Sequence, residues 1–193
     1  MTPEEARIKA NDLADQIEQG ALGAALGRAA MNARALIQGR IINTGINAEG
    51  ENFPPYSTKS MYAWCGNMTV SACAKAQVRY KRKRPKGSTE PLRSFLLKNG
   101  YEEYRELHGR QTEFVDFMFK GDMWADITLT TSESEHKKGK ATVTAKSPDQ
   151  YKKLEGNVAR KGQILDLNDE EIKTITEIID EELEMLITKI GLR

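Results

Sequence analysis

The chain has 193 residues, of which 39% are hydrophobic and 30% are charged, so it can bury one sizeable core. Its 29 basic and 28 acidic side chains leave a net charge of +1, which argues against wholesale binding of a polyanion. No apolar stretch approaches the roughly 20 residues that cross a bilayer, and the N-terminus lacks a signal-peptide pattern. We therefore expect a protein made in a cytoplasm, with no membrane partner.

Two helices are expected first. A helix should run from Thr2 to about Gln19, because Thr2 and Glu5 can form a capping box at its start. Gly20 breaks this helix, and a second follows over about 21–43 with apolar residues on one side. Its many glycines and alanines allow another backbone to approach closely.

The middle of the chain is less regular. Turn-forming residues dominate 44–59, and the spacing then predicts a helix from Met61 to about Tyr80. A loop over 85–91 precedes one or two short helices over 92–107, interrupted at Asn99 and Gly100.

Two cysteines are too few for a disulfide scaffold. If Cys65 and Cys73 lie on one helix, their Cα atoms are about 12 Å apart, which is beyond the reach of a disulfide. We expect reduced thiols.

Alternating residues predict two strands, over 126–131 and 140–145, joined by a charged tip over 132–139. A short helix over 147–155 and a flexible segment over 156–162 follow. The expected fold is a single α+β domain over 1–193, with an insertion at about 61–107. It has N-terminal helices, a small antiparallel sheet with a long β-hairpin, and a C-terminal amphipathic helix.

That last helix carries the clearest local signal. Asn168 can cap it, and Glu171 can reach back to complete a capping box. An apolar stripe follows at helical spacing, and we expect another surface to cover it: Ile172, Ile175, Ile179, Leu183, Leu186 and Ile190. Acidic residues fall mostly away from this stripe. This pattern indicates a docking helix.

Catalytic chemistry is not indicated. The two cysteines and two histidines lack the compact spacing of structural zinc sites, and phosphate-binding glycine loops and hydrolase or metalloprotease motifs are missing from the sequence. We expect neither enzyme activity nor a cofactor, and for a small hydrolase the sequence offers no nucleophile and base to nominate. The aromatic residues over 114–119 and Trp124 are interpreted as core rather than as a ligand platform.

One short segment is strongly basic. It could bind DNA phosphates or an acidic partner through Arg79, Lys81, Arg82, Lys83, Arg84 and Lys86, with Tyr80 available to stack on a base. A solvated loop or a contact with an acidic partner is the simpler interpretation, because one cluster is weak support for DNA binding. A DNA-binding module is the alternative function, and binding that weakens steeply with salt would support it.

Three segments carry a resemblance to a known family. They are Asn47-Ala-Glu-Gly-Glu-Asn-Phe-Pro-Pro-Tyr-Ser57, Lys120-Gly-Asp-Met-Trp-Ala-Asp-Ile127, and Ile164-Leu-Asp-Leu-Asn-Asp-Glu-Glu171. In this order, after a helix rich in small residues, they resemble the phage virion morphogenesis proteins, the tail-completion group that includes the G-like protein of Mu-type phages. Asp166 stands where that family commonly has glycine, and the basic segment has no obvious counterpart there.

The resemblance implies an α+β virion protein without enzymatic chemistry, made in the host cytoplasm and assembled at the head–tail junction or tail end. It implies a homo-oligomeric ring whose partners are other copies and connector, portal-proximal or tail-tube proteins, and the basic segment could also face packaged DNA. Because a hairpin tip can pair copies, we expect a subunit interface at the tip residues Glu133, Glu135, His136, Lys137 and Lys138.

Overall fold

The computed structural model describes residues 2–18, 21–80, 94–118, 120–133 and 139–189. In chain order its elements are α1 (Pro3–Glu18), α2 (Ala21–Thr44), β1 (Met61–Trp64), α3 (Val70–Tyr80), β2 (Ser94–Leu97), α4 (Gly100–Leu107), α5 (Asp122–Asp126), β3 (Ile127–Glu133), β4 (Gly139–Ala145), α6 (Pro148–Lys161) and α7 (Asp169–Lys189). The predicted α+β class is confirmed. In the described ranges the strands form two antiparallel pairs, β1 with β2 and β3 with β4.

Helix α2 is the centre of the main core, lying between α7 and the β3–β4 hairpin. Five of its buried residues recur every four positions, as expected for one helix face: Ala25, Ala29, Ala33, Ile37 and Ile41. The small side chains on this face let its neighbours approach closely. The capping box predicted for α1 is also present, with Thr2 and Glu5 exchanging backbone-to-side-chain hydrogen bonds.

The predicted hairpin is confirmed. Strands β3 and β4 pair in register from Ile127 opposite Ala145 to Glu133 opposite Gly139. Ile127 and Ala145 are buried in one cluster with Trp124 of α5. The hairpin therefore meets the main core at its base.

Residues 61–107 bury a second, smaller cluster. Met61 of β1 pairs with Leu97 of β2, and the inner face of this sheet packs on α3 and α4: Ala63, Ala72, Ala76, Phe95, Leu97 and Leu107. The predicted helix over Met61–Tyr80 is therefore wrong in its first part, and the helix predicted from about Leu92 is wrong over Ser94–Leu97. Both segments form strands because they pair with each other, although 30 residues of sequence separate them. The local spacing of apolar residues does not reveal such a pairing.

The start of α4 is anchored to the segment before β1. The Ser57 carbonyl accepts hydrogen bonds from the N–H groups of Tyr101, at 2.9 Å, and Glu102, at 3.3 Å. Gly100 has a φ of +56°, and a Cβ there would lie 2.1 Å from the Lys59 carbonyl oxygen. This approach requires glycine.

Helix α6 is longer than predicted, because it continues through Gly156 to Lys161 instead of becoming flexible. Leu154 is buried and Val158 packs against the main core, and this packing outweighs the roughly 1 kcal/mol cost of a glycine in a helix.

At the start of α6, Asp126 accepts hydrogen bonds from the Ser147 N–H, at 2.7 Å, and from the Ser147 hydroxyl, at 3.1 Å. The N–H bond from Ser147 is the main cause that lowers the pKa of Asp126.

The cysteines form a disulfide, so the prediction of reduced thiols is wrong. Cys65 lies in a 3₁₀ turn and Cys73 in α3, and the chain reverses between them at Met68 and Thr69. Their Cα atoms are 5.4 Å apart rather than the separation expected on one continuous helix. The bond links the 3₁₀ turn that follows β1 to α3, beside the smaller cluster.

Removing this bond by a Cys65→Ser and Cys73→Ser double change should lower the free energy of unfolding by about 2.5 kcal/mol. A cross-link that closes a loop of this length restricts the unfolded chain by about that amount. Urea unfolding of the oxidised protein, the reduced protein and the variant would measure it. We expect the reduced protein to match the variant, and two titratable thiols in air-oxidised native protein would contradict the bond.

Helix α7 docks antiparallel on α2. The predicted capping box is present, because Asn168 Oδ1 accepts from the Glu171 N–H at 2.8 Å and Glu171 accepts from the Asn168 N–H at 3.0 Å. Ile172, predicted on the buried stripe, is instead 49% exposed. Glu171 occupies the buried face of α7, where it pairs with Arg40 of α2. Ile172, the next residue in the helix, therefore lies toward the edge of that face.

Candidate interaction surfaces

A buried polar network is centred on Asp116. Its two carboxylate oxygens each lie 3.0 Å from Arg105 Nη2, and they also accept hydrogen bonds from the Tyr56 hydroxyl, Gln111 Nε2 and the Met118 N–H, each at 2.8 Å. Arg105 is only 1% exposed. Burying two charges costs desolvation free energy, and the many hydrogen bonds to the Asp116 carboxylate offset that cost.

The network joins the two clusters. Arg105, on α4, also donates to the carbonyls of Gln111 and Met118, and Trp124 of the main core donates to the Asp116 carbonyl at 3.2 Å. Burial raises the pKa of Tyr56 well above its ordinary value, so its hydroxyl remains a hydrogen-bond donor. These groups are committed to one another and hold α4, and with it the smaller cluster, against the main core.

A cleft of about 540 Å³ opens beside this network, between α6 and the chain before β1. Tyr101 and Phe117 contribute its aromatic walls, and Arg160 and Lys161 its positive charge. Lys161 Nζ donates to the carbonyls of Pro54 and Pro55, and burial followed by the charge of Arg160 lowers the pKa of Lys161.

The cleft can hold an anionic group against an aromatic wall. Ser57 is a lining hydroxyl, and the residues described around the cleft include no imidazole or carboxylate.

The cysteines and histidines do not assemble a metal site in the described ranges, where no three His, Cys, Asp or Glu side chains converge. Cys65 and Cys73 are bonded to each other. The Nδ1 atom of His108 lies 2.7 Å from the Tyr104 carbonyl oxygen, and the two rings are 4.4 Å apart. His136 lies outside the described residues.

The basic segment is described only at its start. Arg79 donates to both oxygens of Glu106, at 2.9 and 2.8 Å, and to Glu103 at 3.2 Å. Arg79 is the main cause that lowers the pKa of Glu106. Burial opposes ionisation of Glu103, but hydrogen bonds from Tyr80, the Asn99 N–H and Arg79 outweigh it and lower its pKa.

Arg79 is therefore engaged within α3 and α4. The remaining predicted contacts, Lys81, Arg82, Lys83, Arg84 and Lys86, lie outside the described residues, so the DNA-binding alternative stays a prediction.

The predicted subunit interface at the hairpin tip is described in part. Glu133 pairs with Gly139 at the end of the strand ladder. Glu135, His136, Lys137 and Lys138 lie outside the described residues. The interface at the tip stays a prediction.

The structure reveals an exposed apolar surface that the sequence did not, which we call the outer sheet face: Tyr62, Trp64 and Leu96. Tyr62 lies directly opposite Leu96 across the β1–β2 pair, and these three side chains are 73%, 52% and 44% exposed. The Trp64 ring covers Gly66, where a Cβ would lie 2.5 Å from it. Four-residue strands are too short for their alternation to be distinguished from a helix.

A second surface, the acidic face of α7, points away from α2. Its exposed carboxylates are those of Asp169, Glu170, Glu177, Asp180, Glu181 and Glu184. Glu171 and Glu182 pair with Arg40 and Arg28 of α2, and Glu177 pairs with Lys173 of α7 itself. The predicted separation of acidic and apolar faces therefore holds only in part. Glu171 is the buried residue of this helix, the described stripe residues Ile175, Ile179, Leu183 and Leu186 are half-buried, and Ile190 lies outside the described residues.

Comparison with protein families, curated proteins and solved structures finds no match for this chain. Among the described residues, no helix combines the length and apolar character needed to cross a membrane.

Proposed function

We propose that this protein is a structural component of a phage virion that completes the tail or joins it to the head, acting as a ring of copies. The observation that carries the proposal is the position of the three segments that resemble the tail-completion family. Each of them contributes buried residues to the main core.

The first segment contributes Phe53 and Tyr56, and the second contributes Trp124 directly before the hairpin. The third buries Ile164 and then caps α7 through Asn168. Segments with such structural roles are expected to keep their pattern in a family that shares a scaffold, because each role restricts the residue type.

The surfaces also suit assembly. An exposed aromatic sheet face and a long acidic helix face are features of proteins that bind other proteins, since monomers rarely leave large apolar side chains grouped on one face. The cleft described above can accept an acidic side chain from a neighbour. Its lining offers no acid–base pair that would favour an enzyme instead.

The test is electron microscopy of particles produced by a phage that lacks this protein. We expect filled heads beside unattached tails, because the last joining step would fail while both halves assemble. Supplying the protein from a plasmid should restore joined, infectious particles, which controls for effects on neighbouring genes. Normal infectious particles without the protein would contradict the proposal.

A further inference from the structure

We infer that the cleft between α6 and the chain before β1 binds a short acidic peptide segment of a neighbouring protein. This inference rests on the proposed function for the source of that segment, which would be another protein of the virion. The cleft adjoins a second hollow of about 390 Å³, because Tyr101, Phe117, Asn157 and Arg160 line both. We call the two together the α6 groove.

The α6 groove follows one face of its helix. Its lining residues Gln150, Lys153, Asn157 and Arg160 recur every three or four positions, and Lys161 follows directly. From the first to the last of these the helix rises about 16 Å. That distance matches about five residues of extended chain. An extended peptide therefore fits the groove better than a compact small molecule.

Positive charge in the groove lacks a counter-charge. Lys120, Lys153 and Arg160 are exposed, and none of them forms an ion pair with another described residue. Asp122 is the only carboxylate among the described residues of the lining. Burial, followed by the charge of Arg160, lowers the pKa of Lys161, as expected where two cations lie close together without an anion. A ligand carboxylate would relieve this repulsion.

Acceptor groups in the same lining select a peptide over a nucleic acid. Asp122 repels a phosphate backbone, whereas the N–H groups of a peptide can donate to it. Gln150 Oε1 is buried and has no hydrogen-bond partner in the described part of the chain. A turn of the Gln150 side chain toward the groove would let it accept from a peptide N–H. A segment that combines carboxylates with N–H donors suits both kinds of group.

An aromatic wall lies between the charged ends of the groove. Tyr101 and Phe117 border both hollows, whereas Lys161 lines only the first and Lys153 only the second. Phe117 has a φ of +52°, which no other described residue except glycines shares in sign. This conformation is unfavourable for a bulky residue and is typical of ligand-binding sites. We therefore expect an apolar or aromatic side chain between the carboxylates of the peptide.

A pair of synthetic peptides tests this site. The acidic peptide is acetyl-Asp-Glu-Phe-Glu-Asp-amide, and its uncharged control replaces each Asp by Asn and each Glu by Gln. Titrated into ¹⁵N-labelled protein, the acidic peptide should shift the side-chain amide signals of Gln150 and Asn157 in NMR spectra. The uncharged peptide should bind about tenfold more weakly or less tightly still, because it lacks the groups that meet the cations.

Two neighbouring lysines provide a matched pair of variants. Lys152 and Lys153 are both exposed on α6, but only Lys153 lines the groove. Lys153→Glu should weaken binding of the acidic peptide by about five- to tenfold, since it replaces an attraction by a repulsion. Lys152→Glu makes the same change in net charge and should weaken it by less than about twofold.

Gln150→Met separates binding from folding. The change removes the unpaired acceptor at similar size, so the free protein should be as stable as the unchanged one or more so. The acidic peptide should nevertheless bind less tightly. A residue that served only to support the fold would not give this combination.

The inference is overturned if the Gln150 and Asn157 signals do not move at about 1 mM peptide, if both peptides bind equally, or if both lysine variants behave alike. Tighter binding of a single strand of about twelve thymidines would assign the groove to nucleic acid instead. Shifts of the same signals on raising the protein concentration alone would assign it to a second copy.

Failure of this inference is separable from failure of the proposed function. Peptide binding in the groove together with normal particles in the protein's absence would reject the virion role alone. Unattached tails together with no peptide binding would reject this site alone.

Discussion

Replacing Asp116 by alanine should lower the free energy of unfolding by about 3–5 kcal/mol, because the change leaves the Arg105 guanidinium buried without its carboxylate. The Tyr56 hydroxyl, Gln111 and the Met118 N–H would lose their acceptor as well. Urea unfolding followed by circular dichroism measures the loss.

Two controls calibrate this result. Glu113→Ala removes an exposed carboxylate three residues away and should change stability by less than about 0.5 kcal/mol. Tyr56→Phe removes one hydroxyl but keeps the ring beneath Arg105, and should cost about 1 kcal/mol. A loss below about 1 kcal/mol for Asp116→Ala would show that Arg105 finds other partners.

Glu171→Ala should also destabilise the protein by about 3–5 kcal/mol. The Glu171 carboxylate accepts from Arg40 Nε at 2.8 Å and from the Asn168 N–H at 3.0 Å, so one change removes a buried ion-pair partner and half of the capping box. Arg40 would keep its bonds to the carbonyls of Ile46 and Asp166 but lose its counter-charge. Thermal and urea unfolding measure the effect.

Neighbouring changes separate the two roles of Glu171. Glu170→Ala removes an exposed carboxylate at the adjacent position and should be nearly neutral. Glu171→Gln keeps an oxygen for the Asn168 N–H and loses the charge, so we expect an intermediate loss. Equal stability of Glu170→Ala and Glu171→Ala would contradict the role assigned to the Arg40 pair.

Local signals in the sequence predicted the elements that local interactions define. Both capping boxes, at Thr2 and at Asn168, depend on residues three positions apart, and the hairpin depends on alternation within two neighbouring segments. These were confirmed. Elements whose conformation depends on distant partners were not predictable in the same way.

Strand β1 illustrates the limit. Met61–Trp64 becomes a strand because Ser94–Leu97 pairs with it, and that pairing ends the predicted helix and brings Cys65 within reach of Cys73. One missed pairing therefore produced two errors, in the secondary structure and in the state of the thiols. It also hid the outer sheet face, which exists only once the strands are paired.

The central position of α2 has a consequence for synthesis of the chain. Its partners β3, β4 and α7 begin about 80 residues or more after α2 ends. At ribosomal rates of about 5–20 residues per second, its apolar side waits roughly 4 to 16 seconds before even β3 is made. Residues 61–107 find their partners among themselves, so their small cluster can form during that interval. During that interval the apolar side of α2 has only α1 and the residues that directly follow it, such as Phe53 and Tyr56, for cover.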